Sequence, residues 1–335
     1  MSTFLITGGA GFIGSHLAEA LLQEGQRVIV LDDLSSGSVH NIAKIRSSPR
    51  FEFYIESVSN RQVLAELVDR ADAVYHLAAR VGVFNIIESP VETIANNLNG
   101  TEEVLKAAAK KKKKVIVAST SEVYGKTRSV PFREDGDLLL GPSSKGRWSY
   151  AASKLVDEFL AIAYWREFRV PAVVLRLFNT IGPRQIGRYG MVVPRFITQA
   201  LRGENLTVYG AGSQSRCFTY VADVVEWMML LAADDRAVGE IFNLGNPSEL
   251  TITALAQRVI AATRSSSGID YIPYEQAYEQ GFEDMERRVP DISKVTALTG
   301  YAPRTDLDAA LERIVTWFRE ERILEESAAF KYAHV

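Results

Sequence analysis

The sequence predicts an α/β fold: a doubly wound parallel sheet followed by a smaller C-terminal α/β lobe. Three observations carry that expectation. A glycine-rich turn separates a short apolar run from a helical pattern near residue 10. Near-continuous apolar runs then alternate with helical segments up to about residue 178, as parallel strands covered on both faces require. After Arg184 the rhythm breaks into short helices, isolated strands and frequent Gly and Pro.

Phe4 to Ile6 is the first apolar run, TGGAGFIG (Thr7 to Gly14) is the turn, and SHLAEALLQEG is a helical pattern that Gly25 ends as a C-terminal cap. RVIVLDD is the second strand and completes one βαβ unit. Further strands are expected at FEFYI (51–55), AVYHLAA (73–79), KVIVAST (114–120) and PAVVLRLFN (171–179), with helices at 60–70, 91–112 and 150–168. Residues 1–178 therefore read as one domain and 179–335 as the smaller lobe, with segments around 216–246 expected to pack back on the first. In that lobe VVPRFITQALRG is helical, and LTVYG and EIFNLGN are strands. Lys110 to Lys114 follow AAA at a helix C-terminus, where cations oppose the negative end of the macrodipole, so they read as a solvated helix end.

Composition narrows the function. The 335 residues, 47% hydrophobic and 24% charged, suffice for a sizeable core and exclude disorder, collagen and coiled coil. Lys and Arg number 38 against 41 Asp and Glu, a net charge of -3, so neither nucleic acid nor an anionic membrane is expected as a partner. Any anionic ligand must be held by local groups. Cys217 is the single cysteine, which precludes an intrachain disulfide, and MSTFLITGG shows no signal-like or spanning segment; a cytoplasmic location is expected. With 4 histidines and no cluster at ligand spacing, no metal is expected.

Gly8, Gly11 and Gly14 stand at three-residue spacing between a strand and a helix. Small residues there let the backbone turn tightly and approach a pyrophosphate, whose charge meets N–H groups and the positive helix end. The second strand ends in Asp32-Asp33, about 18 residues on, where a Rossmann dinucleotide fold places its ribose-binding carboxylate. Asp32 accepts from ribose hydroxyls and repels a 2'-phosphate, which favours NAD over NADP.

Tyr150 and Lys154 lie at i and i+4, on one helix face. An ammonium beside the phenol is expected to lower a tyrosine pKa from about 10 toward the working pH, making Tyr150 a candidate base. The helix comes after a strand ending in Ser119-Thr120-Ser121-Glu122, whose hydroxyls lie at the carboxyl edge where open α/β sheets bind ligands.

On these motifs the chain resembles the extended short-chain dehydrogenase/reductase family that modifies nucleotide sugars. TGGAGFIGSHL, HLAA (76–79), NNLNGT (96–101), the hydroxyl-rich strand end, YAASK, RLFNTIGPR (176–184), VYGAGSQSRCFTYVADV and FNLGNP occur in the family's order over nearly the whole chain. One departure is IESVSN, which offers Ser57 where the family often has an aspartate near the adenine. The resemblance implies a tightly bound NAD recycled in each turnover, held by Gly8, Gly11, Phe12, Ile13, Gly14, Asp32, Asp33, Leu77, Ala78, Ala79, Asn97, Tyr150 and Lys154. It implies Thr120 as the hydroxyl partner of the sugar, Tyr150 as base and Lys154 as the residue on the nicotinamide ribose. Asn179, Arg184, Val193, Arg195, Val208, Tyr209 and Arg216 are implied to bind a nucleotide-sugar substrate, which is UDP-linked by resemblance alone. His76 reads as a packing residue.

Family members first oxidise the sugar at C4, and the next step sets the reaction. Dehydratases carry an Asp-Glu pair after the Thr, and here it is Ser121-Glu122. UDP-glucuronate decarboxylases share TSEVYG, and some bacterial ones share GPxxKxRWxY (141–150) and the Arg-x-Pro segment at Arg288. A C4 ketone is β to the C6 carboxylate, so carbon dioxide leaves readily. Ser121, Glu122 and Arg288 are then implicated at C5 and the carboxylate, with Glu122 pushed toward its protonated form beside a substrate carboxylate. Decarboxylation of UDP-glucuronate to a UDP-pentose is the favoured reading. The alternative is 4-epimerisation of a UDP-hexose or UDP-hexuronate, for which the unmatched loop Arg80 to Ile87 argues, and a remote alternative is a non-catalytic NAD-binding scaffold. Helices 150–168 and 91–112 are expected to form a homodimer, since Leu155, Phe159, Leu160, Ile162 and Trp165 spread over more than one face.

Overall fold

The computed structural model describes residues 1–80, 89–187, 191–273, 276, 285 and 287–332. Its central sheet has seven parallel strands: β1 (Thr3–Thr7), β2 (Arg27–Asp32), β3 (Phe51–Ile55), β4 (Ala73–His76), β5 (Lys114–Thr120), β6 (Ala172–Leu177) and β7 (Ile241–Leu244). Their spatial order is 7-6-5-4-1-2-3, so the chain winds outward from β1 in one direction and from β4 in the other. Helices cover both faces. The principal ones are α1 (Phe12–Gln23), α2 (Arg61–Arg70), α3 (Pro90–Ala109), α4 (Trp148–Phe168), α5 (Val192–Leu201), α6 (Val221–Ala233), α7 (Ile252–Thr263), α8 (Ser293–Thr299) and α9 (Leu307–Tyr332).

Side-chain alternation splits the core in two. Leu5, Ile29, Val74, Val115, Val117 and Val174 pack with Leu64 and Leu67 of α2, Leu105 of α3 and Ala161 of α4. Their neighbours Ile6, Val28, Val30, Tyr75, Ile116 and Val173 face the other way, onto Leu17 and Leu21 of α1 and Val224 and Met228 of α6. Both sets are apolar, and this is why the strands read as unbroken apolar runs.

Element ends have local causes. β4 stops at His76 rather than running through HLAA, because the Ala78 N–H turns to the Thr7 hydroxyl at 3.3 Å instead of extending the ladder. α3 ends at Ala109, and Lys112 has φ +53° in the turn beyond it. The expected solvated helix end is thus corrected at Lys114, which opens β5 and pairs with Asp235 at 2.7 Å. Gly25, at φ +78°, lies just past α1 as expected. Among the described residues no helix is long and apolar enough to cross a membrane.

In the lobe, strand Leu206–Tyr209 pairs in parallel with Ile269–Ile272, and α5 and α7 pack beside it. β7 lies far along the lobe sequence, so the chain returns to complete the sheet beside β6. The Arg288 segment comes back as well: Pro290 bridges to Phe132, and the Asp291 carbonyl accepts from Asn243 of β7 at 3.1 Å.

Candidate active site

A cleft of about 1430 Å³ runs along the carboxyl ends of the strands and under the lobe. Its position follows from topology: where the strand order reverses, between β1 and β4, the connections part to opposite faces and leave a crevice.

The turn after β1 forms one end. Gly11 precedes α1 and its N–H reaches the Gly8 carbonyl at 3.2 Å. A Cβ on Gly14 would lie 2.3 Å from the Gly8 oxygen and 2.8 Å from Gly9 Cα, so only glycine lets the helix start against the turn. Gly14→Ala is therefore expected to lower dinucleotide retention at least about tenfold, measured as NAD released from denatured protein; full retention would contradict the assignment. Asp32 is buried and accepts from the N–H groups of Ala10 (2.9 Å) and Leu34 (2.8 Å). Burial raises its pKa above the ordinary carboxylate value, and those N–H groups pull it back. Asp33 accepts from the Ser35 N–H at 2.9 Å. Phe12, Ile13, Leu77, Ala78, Ala79 and Asn97 all line the same end, and Asn97 accepts from the Arg80 N–H at 2.9 Å. His76 is buried between the hydroxyls of Thr7 (2.8 Å) and Thr101 (3.2 Å). Burial, helped by the Lys154 charge, pushes its pKa down to about 3, so it is neutral at physiological pH and acts in packing.

At the centre, Thr120 ends β5 and its hydroxyl accepts the Glu122 N–H at 3.2 Å. The cap starts a single 3-10 turn, Ser121–Tyr124, which carries Ser121 and Glu122 to the cleft wall. Tyr150 and Lys154 face the cleft from α4. The Lys154 ammonium donates to Asp157 at 2.7 Å, both being buried. This corrects the expected effect on Tyr150. Its phenol retains partial access from the cleft, yet surrounding protein desolvates it, and Glu122 and Asp157 add negative charge; its pKa is raised above the usual tyrosine value.

Glu122 has two cationic neighbours in the cleft. Its Oε2 accepts from Arg147 Nη1 at 3.0 Å, and its Oε1 lies 3.7 Å from Arg288 Nη1. Two guanidinium groups thus face this one carboxylate. Sequence reasoning gave Arg147 no role, although the motif ending at Tyr150 contains it.

A buried polar network supports this wall. Glu158 of α4 accepts from Ser119 at 2.5 Å and from Arg176 of β6 at 3.0 and 2.8 Å. Arg176 also reaches the Tyr124 hydroxyl (2.9 Å), which donates to Asn243 of β7 (2.8 Å). Asn243 in turn donates to the carbonyls of Phe132 (2.9 Å) and Asp291 (3.1 Å). The Phe132 N–H binds the Val289 carbonyl at 2.8 Å, which seats Arg288 beside the 3-10 turn. RLFN and FNLGN thus contribute the scaffold under the site.

The lobe forms the other end. Asn179 donates to the Cys217 carbonyl at 3.0 Å, and Arg216 is buried and donates to the Ser215 carbonyl at 2.7 Å. Arg195 lies 4.0 Å over the Tyr209 ring, and both line the cleft with Val193. Arg184, at φ +70°, reaches back to Ser15 (3.2 Å) and Glu19 (2.6 Å), so it meets α1 as well as the cleft. Val208 is a correction: strand alternation turns it fully into the core, while its neighbour Tyr209 faces the cleft. Arg80 pairs with Glu92 at 2.7 Å, and the rest of the Arg80 to Ile87 loop lies outside the described residues. C-terminal helix residues Trp317, Phe318 and Glu321 also line the cleft, and no motif had marked them.

Comparison with known proteins agrees with this geometry. The chain is 44% identical over 317 residues to a UDP-N-acetyl-alpha-D-glucosaminuronate decarboxylase of Bacillus cytotoxicus, covering 94% of this chain and 97% of that protein. It is 37% identical over 328 residues to UDP-glucuronic acid decarboxylase 1 of Danio rerio, covering 98% of this chain and 75% of the relative. Its fold matches UDP-glucuronic acid 4-epimerase from Bacillus cereus, solved with UDP-glucuronic acid and NAD, with TM-score 0.85, 30% identity and coverage of 95% and 99%. A family model described as GDP-mannose 4,6 dehydratase matches residues 5–314, and the chain belongs to that family, within the extended short-chain dehydrogenases/reductases.

Proposed function

We propose that this chain is an NAD-dependent decarboxylase of a UDP-linked hexuronic acid. The observation that carries the reading is Glu122 set between Arg147 and Arg288 beside Tyr150, a charged cluster suited to a sugar bearing a C6 carboxylate. The two decarboxylase relatives support it.

The dinucleotide end fits NAD: the Gly14 position leaves no room for a Cβ, and Asp32 offers a carboxylate to ribose hydroxyls. NAD, when bound, supplies the hydride acceptor for C4 oxidation and adds positive charge to the cleft. Thr120 and Tyr150 hold the 4-hydroxyl, and the Tyr150 oxygen takes its proton. Arg288 pairs with the C6 carboxylate. With a ketone at C4, the C5–C6 electron pair passes into an enolate, carbon dioxide leaves, C5 takes a proton that enters from solvent on the side of Ser121 and Glu122, and C4 would then be reduced again as Tyr150 returns its proton to the oxygen. Asn179 and Arg216 meet the diphosphate, and Arg184, Val193, Arg195 and Tyr209 complete the nucleotide end. Residues 1–178 serve the cofactor and 179–335 the nucleotide sugar.

The test is carbon dioxide released from UDP-glucuronate and, in parallel, from UDP-N-acetylglucosaminuronate, since the relatives differ in the substituent at C2. Release from either supports the reading; release from neither, with galacto epimers formed instead, replaces it by 4-epimerisation.

The enzyme works as a homodimer in the cytosol. Phe159 is 69% and Val156 44% exposed on α4, an apolar face beside α3 that a second copy would cover. The cytosolic placement is supported by a single, buried cysteine. Phe159→Glu is expected to convert the dimer to monomer in light scattering, and a monomeric parent protein would contradict the pairing.

A further inference from the structure

We propose that Arg147 is a positioning residue that aims the Glu122 carboxyl group, which takes a proton from solvent once Arg288 has turned to the substrate carboxylate and passes it to C5, an inference that rests on the decarboxylase reading. Arg147 immediately precedes α4 with helical φ and ψ of -51° and -35°. Residues 147, 150 and 154 therefore recur at i, i+3 and i+7 and share one face with the catalytic tyrosine. The side chain is buried, with its guanidinium 5.2 Å from the Trp148 ring centre. Trp148 is itself wedged against Gly141, where a Cβ would fall 2.0 Å from the indole nitrogen. The arginine thus leaves a fixed base.

The two edges of Glu122 are held unequally. Arg147 donates to Oε2 at 3.0 Å, within hydrogen-bond range, whereas Arg288 stands 3.7 Å from Oε1, beyond it. Arg288 is accordingly the partner that exchanges Glu122 for a substrate carboxylate, and Arg147 is the one that keeps Glu122 in place while this happens. Neither Tyr150 nor Lys154 takes over that duty: Tyr150 is a neutral phenol at rest, and the Lys154 ammonium is bonded to Asp157. Arginine suits the task because its planar fork fixes the direction of a carboxylate as well as its charge.

The test uses the NAD-loaded enzyme and the variants Arg147→Met, Arg147→Lys, Glu122→Gln and the Arg147→Met/Glu122→Gln double variant. Arg147→Met is expected to lower kcat by about 10²-fold, as a misplaced catalytic group does. KM should stay within about threefold, because the lost interaction is one that matters only after the sugar binds. Arg147→Lys keeps the charge without the fork and recovers part of kcat. In single turnover, C4 oxidation followed by cofactor absorbance stays near the parent rate, while product formation slows. Adding Arg147→Met to Glu122→Gln costs nothing more, since both act through one carboxylate. Additive losses, or oxidation slowed as much as product formation in both Arg147 variants, would overturn the proposal. If the parent enzyme epimerises and releases no carbon dioxide, the decarboxylase reading fails on that result alone. The same cycle, read on epimerisation rate, then decides separately whether Arg147 acts through Glu122.

Discussion

Tyr150→Phe is expected to reduce turnover by about 10²–10⁴-fold while the purified protein keeps its bound NAD, because the variant removes one proton acceptor and almost no volume. The effect is large because His76 and Lys154 are not equipped to replace the phenol. His76 is sealed between Thr7 and Thr101 with its pKa pushed down to about 3, and the Lys154 ammonium is bonded to Asp157. Thr120 contributes a hydroxyl, a far weaker acid and base. The raised pKa of Tyr150 adds a condition: the phenolate is scarce in the unliganded protein, so the base forms only in the loaded cleft. Turnover of the variant near the parent rate would remove Tyr150 from the mechanism. NAD content of the purified variant separates a chemical defect from a binding one.

Arg288→Met is expected to lower decarboxylation by about 10²–10³-fold, the scale of removing one preorganised donor from a developing charge. The arginine is buried, and its segment is tied to the sheet through Val289, Phe132 and Asn243, so the guanidinium is held in place before substrate arrives. Methionine keeps most of the stem but cannot pair with a carboxylate. The loss is expected in kcat as well as in KM, since the carboxylate must be held in line while the C5–C6 bond breaks. Steady-state rates with UDP-glucuronate measure it; unchanged kcat/KM would move Arg288 out of the site and weaken the case for a hexuronate.

Much of the frame was legible in the residues. Glycine spacing, the acidic end of β2 and the Tyr-Lys pair each depend on local geometry that short sequence windows encode, and the cleft gathers all of them. The two core faces were hidden because Leu5 and Ile6, or Val173 and Val174, are equally apolar, so alternation leaves no trace in hydropathy. Val208 differs for the opposite reason. Its position in a family motif outweighs, in a sequence reading, the alternation with Tyr209 that a strand imposes.

Charge partners account for the other differences. The i, i+4 spacing of Tyr150 and Lys154 was visible, but so was Asp157 three residues after the lysine, whose carboxylate pairs with the ammonium and adds negative charge near the phenol. Glu122 reaches Tyr150 and Arg147 only after the chain has crossed a loop, and Arg288 only after a whole lobe, so their electrostatics belong to the tertiary structure. Arg147 had a signal, its place in the GPxxKxRWxY string, without a role until its distance to Glu122 was known.

The central claim is best tested by proton and carbon NMR of the enzyme turning over UDP-hexuronate labelled with carbon-13 at C6, in deuterium oxide. The account predicts that the label leaves as carbon dioxide and that the UDP-pentose formed carries deuterium at C5. A product that retains the labelled carboxylate, has inverted at C4 and holds only protium at C5 would contradict it.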